Sequence, residues 1–185
     1  MNFYIFQRTS KYFQRKSLAF TLIEMLVTLS IVTLLTVMVI GYSRRSESLT
    51  NLMRESERLI YNLKLAQSSA MLTLRNSNQI ICGWGVAFDV NNNQYFLFKD
   101  LAQTSCPANY EYDGGSELVD NFKPLNGVII NSVNVDSIVF IPPNPDVHFI
   151  TNDGTNDAQI RLCLANDTNQ CVDIIVTKTG LIYKK

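Results

Sequence analysis

A chain of 185 residues, 46% of them apolar, carries enough hydrophobic material for one modest domain with a buried core and needs no metal or cofactor to fold. Sixteen Lys and Arg balance sixteen Asp and Glu, which excludes the strongly basic footprint of a general nucleic-acid binder. The balance is uneven along the chain. Residues 1–19 hold Arg8, Lys11, Arg15 and Lys16 and no acid, so without them the remainder carries a formal charge of −4.

From Phe20 to Ile40 the sequence reads FTLIEMLVTLSIVTLLTVMVI, apolar apart from one carboxylate and a few Thr and Ser that can bond back to a helix. At about 1.5 Å of rise per residue the segment covers roughly the 30 Å hydrocarbon core of a bilayer. The leader cations lie on one side of it, and Arg44 and Arg45 on the other are partly offset by Glu47. The positive-inside rule therefore places residues 1–19 in the cytoplasm and everything after Gly41 outside. A cleaved secretory signal peptide, an ordinary signal anchor and the buried helix of a soluble protein are the competing readings. The first needs a shorter apolar region and a small-x-small cut site, which Gly41-Tyr42-Ser43 offers only loosely. None of them accounts for Glu24, because a carboxylate in an apolar span costs on the order of 2 to 3 kcal/mol near the bilayer centre and so calls for a function and a partner.

Ala19-Phe20-Thr21-Leu22-Ile23-Glu24, followed by the apolar run, resembles the processing site of type IV pilins and type II secretion pseudopilins. The resemblance implies a membrane-anchored filament subunit with no catalytic activity and no cofactor. A prepilin peptidase would remove residues 1–19 by cutting between Ala19 and Phe20, the new amino terminus at Phe20 would be N-methylated, and Glu24 would guide assembly. Residue 19 is Ala where Gly is usual, and the leader is longer than many. The implied partners are other pilin or pseudopilin subunits, the peptidase and methyltransferase, an inner-membrane assembly platform and, before assembly, the lipid bilayer. The implied location is the cytoplasmic membrane, then a surface pilus or periplasmic pseudopilus. The chemistry is coherent: the cut creates an ammonium at Phe20, and Glu24 follows about 6 Å along the helix axis. In a low-dielectric filament core a neighbour's ammonium and this carboxylate stabilise each other and set the axial register.

Residues 42–76 change to an amphipathic pattern, with Leu49, Leu52, Met53, Leu59, Ile60, Leu63, Ala66, Ala70 and Leu74 on one helix face. Arg54, Glu55, Arg58 and Lys64 are expected largely off that face, with Arg54 to Arg58 a solvated flank. No proline occurs from Phe20 to Ile81, which allows a nearly continuous helix of about 50 residues with Gly41 as the expected bend, ending at Asn76-Ser77-Asn78.

Residues 77–185 read as a β-rich head. Strand character runs over Trp84 to Asp89 and Gln94 to Phe98, a hairpin around Asn91-Asn92-Asn93. It returns at Gly127 to Asn131, Ser137 to Ile141, Gln159 to Leu164, Val172 to Thr177 and Leu181 to Lys184, the last two joined through Lys178-Thr179-Gly180. Lys99 to Pro124 is expected to be a long polar surface loop. The fold class is α+β: a long amino-terminal helix packed on an antiparallel sheet. Four cysteines, all beyond the apolar segment, suit two disulfides in an oxidising compartment; Cys163 with Cys171 and Cys82 with Cys106 is the favoured pairing of three, and four buried thiols the alternative. Leu63 to Cys82, the Trp84 to Asp89 strand and the terminal strand with Gly180 resemble the H-type minor pseudopilins and FimT-like minor pilins. The branch more often carries Arg and Glu at the second and fourth places of Ala66-Gln67-Ser68-Ser69-Ala70.

Enzymatic constellations are sparse. His148, the single histidine, stands beside no paired nucleophile. Asp153 with Asp157 and Asp113 with Glu117 lie among turn residues, where solvation is expected. Asp89, Asn91, Asn93 and Asp100 have a calcium-loop spacing, but Gln94 replaces the glycine needed at the sixth place, so no metal is expected. Lys178, Lys184 and Lys185 gather near the carboxyl terminus. Some FimT-like pilins receive DNA, so these lysines are the candidate contacts for a DNA-binding alternative. An uncleaved single-span protein is the other.

Overall fold

The computed structural model describes residues 21–72, 80–102, 105–106, 109–142, 146–150 and 156–185. The chain divides into two compact units, Met1–Tyr42 and Ser43–Lys185. One helix, α1, runs over Leu22–Met71. Its start is set by Thr21, whose Oγ1 accepts the Glu24 amide at 3.3 Å; Thr and Glu three apart are the residues of a capping box.

In the first unit the helix satisfies its own polar groups. Thr28, Ser30, Thr33 and Thr36 each donate a hydroxyl proton to a carbonyl three or four residues back, at 2.7 to 3.0 Å. Every side chain from Leu22 to Ile40 is exposed, including Leu22 at 82% and Met38 at 77%. This part of α1 is long and apolar enough to cross a membrane.

The second unit builds two antiparallel sheets where one was expected. Strands β1 (Ile80–Asp89), β2 (Gln94–Ala102), β3 (Leu118–Phe122), β5 (Ser137–Ile141) and β6 (Asp146–Ile150) form a sheet in the order β3-β2-β1-β5-β6. The other, ordered β4-β7-β8-β9, comprises β4 (Val128–Val133), β7 (Asp157–Leu164), β8 (Asp167–Thr177) and β9 (Ile182–Lys184). Alternation makes one face of each sheet apolar. Val86, Tyr95, Leu97, Ile138 and Phe140 of the larger sheet meet Ile130, Ile160, Leu162, Ile174 and Val176 of the smaller in one core. Leu52, Leu59, Ile60, Leu63, Ala66 and Ala70 of α1 belong to that same core.

Two expectations need correction. Lys99 to Pro124 is not simply a loop: β2 runs on to Ala102, a 3₁₀ turn forms at Gly115–Glu117, and β3 extends the sheet. The polar letters hid β3 because it is an edge strand with four of its five residues exposed. On the helix, Glu55 and Ser56 are completely buried instead of solvated, whereas Met53 is 48% exposed. The spacing from Leu52 to Leu59 and Ile60 puts positions 55 and 56 on the buried face, and Glu55 is tolerated there because it is hydrogen-bonded.

Two disulfides staple the head, Cys82–Cys106 and Cys163–Cys171. Cys163 and Cys171 face each other directly in the β7–β8 register. In the chain-entropy account, closing loops of these lengths contributes about 3.5 kcal/mol for the first and about 2.5 kcal/mol for the second.

Candidate assembly site

The functional residues expected from the sequence concentrate at the start of α1. Ala19, Phe20 and the leader cations Arg8, Lys11, Arg15 and Lys16 lie outside the described residues. Glu24 stands in the first turn, the helix end where unpaired amides favour a negative charge. Its neighbours Leu22, Ile23, Met25 and Leu26 are all more than half exposed. The apolar stretch from Thr21 to Tyr42 contains no cation to pair with this carboxylate.

A model of the prokaryotic N-terminal methylation motif matches residues 14–40. This match supports a place in the type IV pilin and pseudopilin family. The match spans the end of the leader and the apolar run, points to a structural subunit, and does not resolve the branch. No curated protein and no solved structure matches the chain.

In the second unit, a buried polar network ties the amphipathic half of α1 to the sheets. The Tyr95 hydroxyl donates to Glu55 Oε1 at 3.1 Å and accepts from Asn62 Nδ2 at 3.2 Å. The Leu125 amide donates to the other Glu55 oxygen at 3.2 Å, and the Arg58 guanidinium lies 3.6 Å from it. Arg58 also lies 4.9 Å from the centre of the Phe122 ring. Burial, and then the Glu55 carboxylate, push the Tyr95 phenol far up, so it stays a donor. Nearer the end of α1, Gln67 Nε2 donates to the Gly180 carbonyl at 3.0 Å, fixing the β8–β9 turn. Gly180 has φ 80, which a side chain resists. Sequence reading missed Glu55, Asn62 and Tyr95 as a group because their partners are 33 to 40 residues apart.

The remaining candidates are dispersed. Asp89 closes β1 opposite Gln94, whereas Asp100 lies near the far end of β2 opposite Gly83, so the calcium-loop spacing does not converge. Asp89 instead accepts from the Asn92 amide and side chain and from Gln94, which holds its carboxyl below the usual range. Asn93 bridges to the other sheet through Val128 O and the Ile130 amide. His148 is exposed on β6 with its ring 5.0 Å from that of Tyr110. Among the described residues no group of His, Cys, Asp and Glu has the arrangement of a metal site. Asp153 lies outside the described residues and Asp157 is exposed.

Asp113 and Glu117 do not both sit in a solvated turn. Glu117 is buried, and its carboxylate accepts the Leu101 and Asp113 amides at 3.3 and 2.9 Å. Beside them Asp100 is fully buried with neither oxygen hydrogen-bonded. Burial, then the charge of Glu117, push its carboxyl up to about 6; the Tyr110 amide opposes them, and the charge of Asp113 adds the least.

The carboxyl-terminal lysines are already engaged. Lys184 Nζ bonds Glu57 at 2.7 Å, Lys178 Nζ donates to Asn156 at 2.9 Å, and Lys185 lies in the field of Asp173.

Proposed function

We propose that this chain is a prepilin or prepseudopilin, a non-enzymatic filament subunit. It is inserted with residues 1–19 in the cytoplasm, cut between Ala19 and Phe20, and methylated at Phe20. The methylation motif over residues 14–40 carries the reading. Two further features support it: Glu24 in the first turn of α1, and a following run of exposed apolar side chains that no part of its own unit covers. Those side chains are solvated by lipid before assembly and by other subunits afterwards. Glu24 then receives the Phe20 ammonium of a neighbouring subunit, a pairing strengthened by the low dielectric of a filament core. The assembly platform draws the subunit from the cytoplasmic membrane into a pilus or pseudopilus. DNA reception through Lys178, Lys184 and Lys185 gains no support from a cluster whose members are held by Asn156, Glu57 and the field of Asp173.

Intact mass and amino-terminal sequencing of the protein from membranes and from sheared surface or periplasmic filament material test this reading. A methylated Phe20 start in the filament fraction is expected, with Glu24→Val leaving the subunit processed in membranes but absent from filaments. An uncut chain confined to membranes would replace the proposal with a permanent single-span anchor.

A further inference from the structure

The face of the five-stranded sheet turned away from α1 carries its own small apolar cluster, in which Phe96, Tyr110 and Tyr112 pack against buried Ala87, Phe98 and Val139. Next to it lies an open groove of about 540 Å³. Its aromatic wall is formed by Phe96 and Tyr112, stacked at 5.1 Å with an interplanar angle of 22°. Three carboxylates line it, Asp89, Glu111 and Asp136. Hydrogen bonds from Asn92 and Gln94 keep Asp89 ionised. Glu111 and Asp136 are exposed and form no salt bridge among the described residues. Ser137 is 3% exposed, shares the groove lining, and its hydroxyl makes no hydrogen bond. A buried hydroxyl without a partner costs stability unless something that enters the groove satisfies it.

We propose that this groove binds the guanidinium or ammonium group of a basic side chain on a partner polypeptide. The aromatic wall attracts a cation through its π faces, the carboxylates supply charge complementarity, and the Ser137 oxygen accepts one N–H. An anion is repelled by the three carboxylates, and a neutral apolar ligand leaves both them and Ser137 unsatisfied. The volume favours a side chain over a free ion, because it exceeds a guanidinium group several-fold and accommodates the aliphatic stem and flanking backbone. The site is independent of the amino-terminal motif, so it stands whether or not the filament reading holds.

The test is an NMR titration of the full chain in detergent micelles, following the methyl groups of Ala87 and Ile150, which both line the groove. The probe is acetyl-Gly-Arg-Gly-amide, with its citrulline counterpart as a neutral isostere and guanidinium chloride as the free cation. Saturable shifts with the arginine peptide at low salt are expected. They should weaken at least fivefold in Asp136→Asn and in Glu111→Gln, two exposed positions where the fold is not at stake, and be absent with the citrulline peptide. Equal shifts with citrulline, or no loss in either variant, would overturn cation recognition. Guanidinium chloride matching the peptide at equal concentration would overturn the polypeptide partner.

Discussion

Asp100 is a buried carboxylate that the head holds at a cost, and replacing it should make the protein more stable. Its carboxyl is pushed up to about 6 from an ordinary value of 3.8, by burial first and then by the charge of Glu117 beside it. The sign follows from linkage. A carboxyl whose pKa is higher in the folded state binds more protons there, so its contribution to stability falls as pH rises from about 4 to about 6 and stays low above that. At about 1.4 kcal/mol per unit, the ionised form costs on the order of 2 to 3 kcal/mol at pH 7.5. Asp100→Asn removes the charge at nearly constant volume and should recover most of that. Urea unfolding of the full chain in micelles, followed by Trp84 fluorescence with both disulfides intact, should show a midpoint raised by about 1 to 2 M for a slope of roughly 1.5 kcal/mol/M. The gain should shrink towards zero by pH 4, where the wild-type carboxyl is itself protonated. Asp89 and Asp173, whose pKa values are lowered, lose stabilising charge as pH falls, but they do so equally in both proteins. An increment of the same size at pH 4 and 7.5, or a loss at pH 7.5, would refute the reasoning.

Tyr95→Phe leaves Asn62 without its acceptor and Glu55 without one donor inside the core, and should cost about 2 kcal/mol, read as a lower urea midpoint with unchanged slope. Gly85→Ala should lower the melting temperature by about 5 °C, equivalent to about 2 kcal/mol. Its Cβ would sit 2.7 Å from both the Ile138 carbonyl oxygen and the Phe98 ring, and backbone on one side cannot yield. Unchanged thermal unfolding by circular dichroism would show that the β1–β5 contact relaxes more easily than its geometry suggests.

The sequence by itself pointed to the family and determined the long helix and the fold class. These rest on local signals: a six-residue motif, an unbroken apolar run, the absence of proline, and hydrophobic periods of 3.6 and 2. Glu24 was legible for the same reason, as a charge in an apolar stretch is conspicuous without any neighbour. Only the tertiary structure divided the strands between two sheets, because pairing β1 with β5 and β4 with β7 joins residues far apart in the chain. It also turned polar letters inward. Glu55 reads as a surface residue until Tyr95, Leu125 and Arg58 converge on it, and Asp100 as a strand-end acid until Glu117 closes beside it. The Phe96–Tyr112 wall and the Ser137 that lines the same groove were hidden likewise, since burial and convergence are properties of three dimensions that a one-dimensional pattern does not encode.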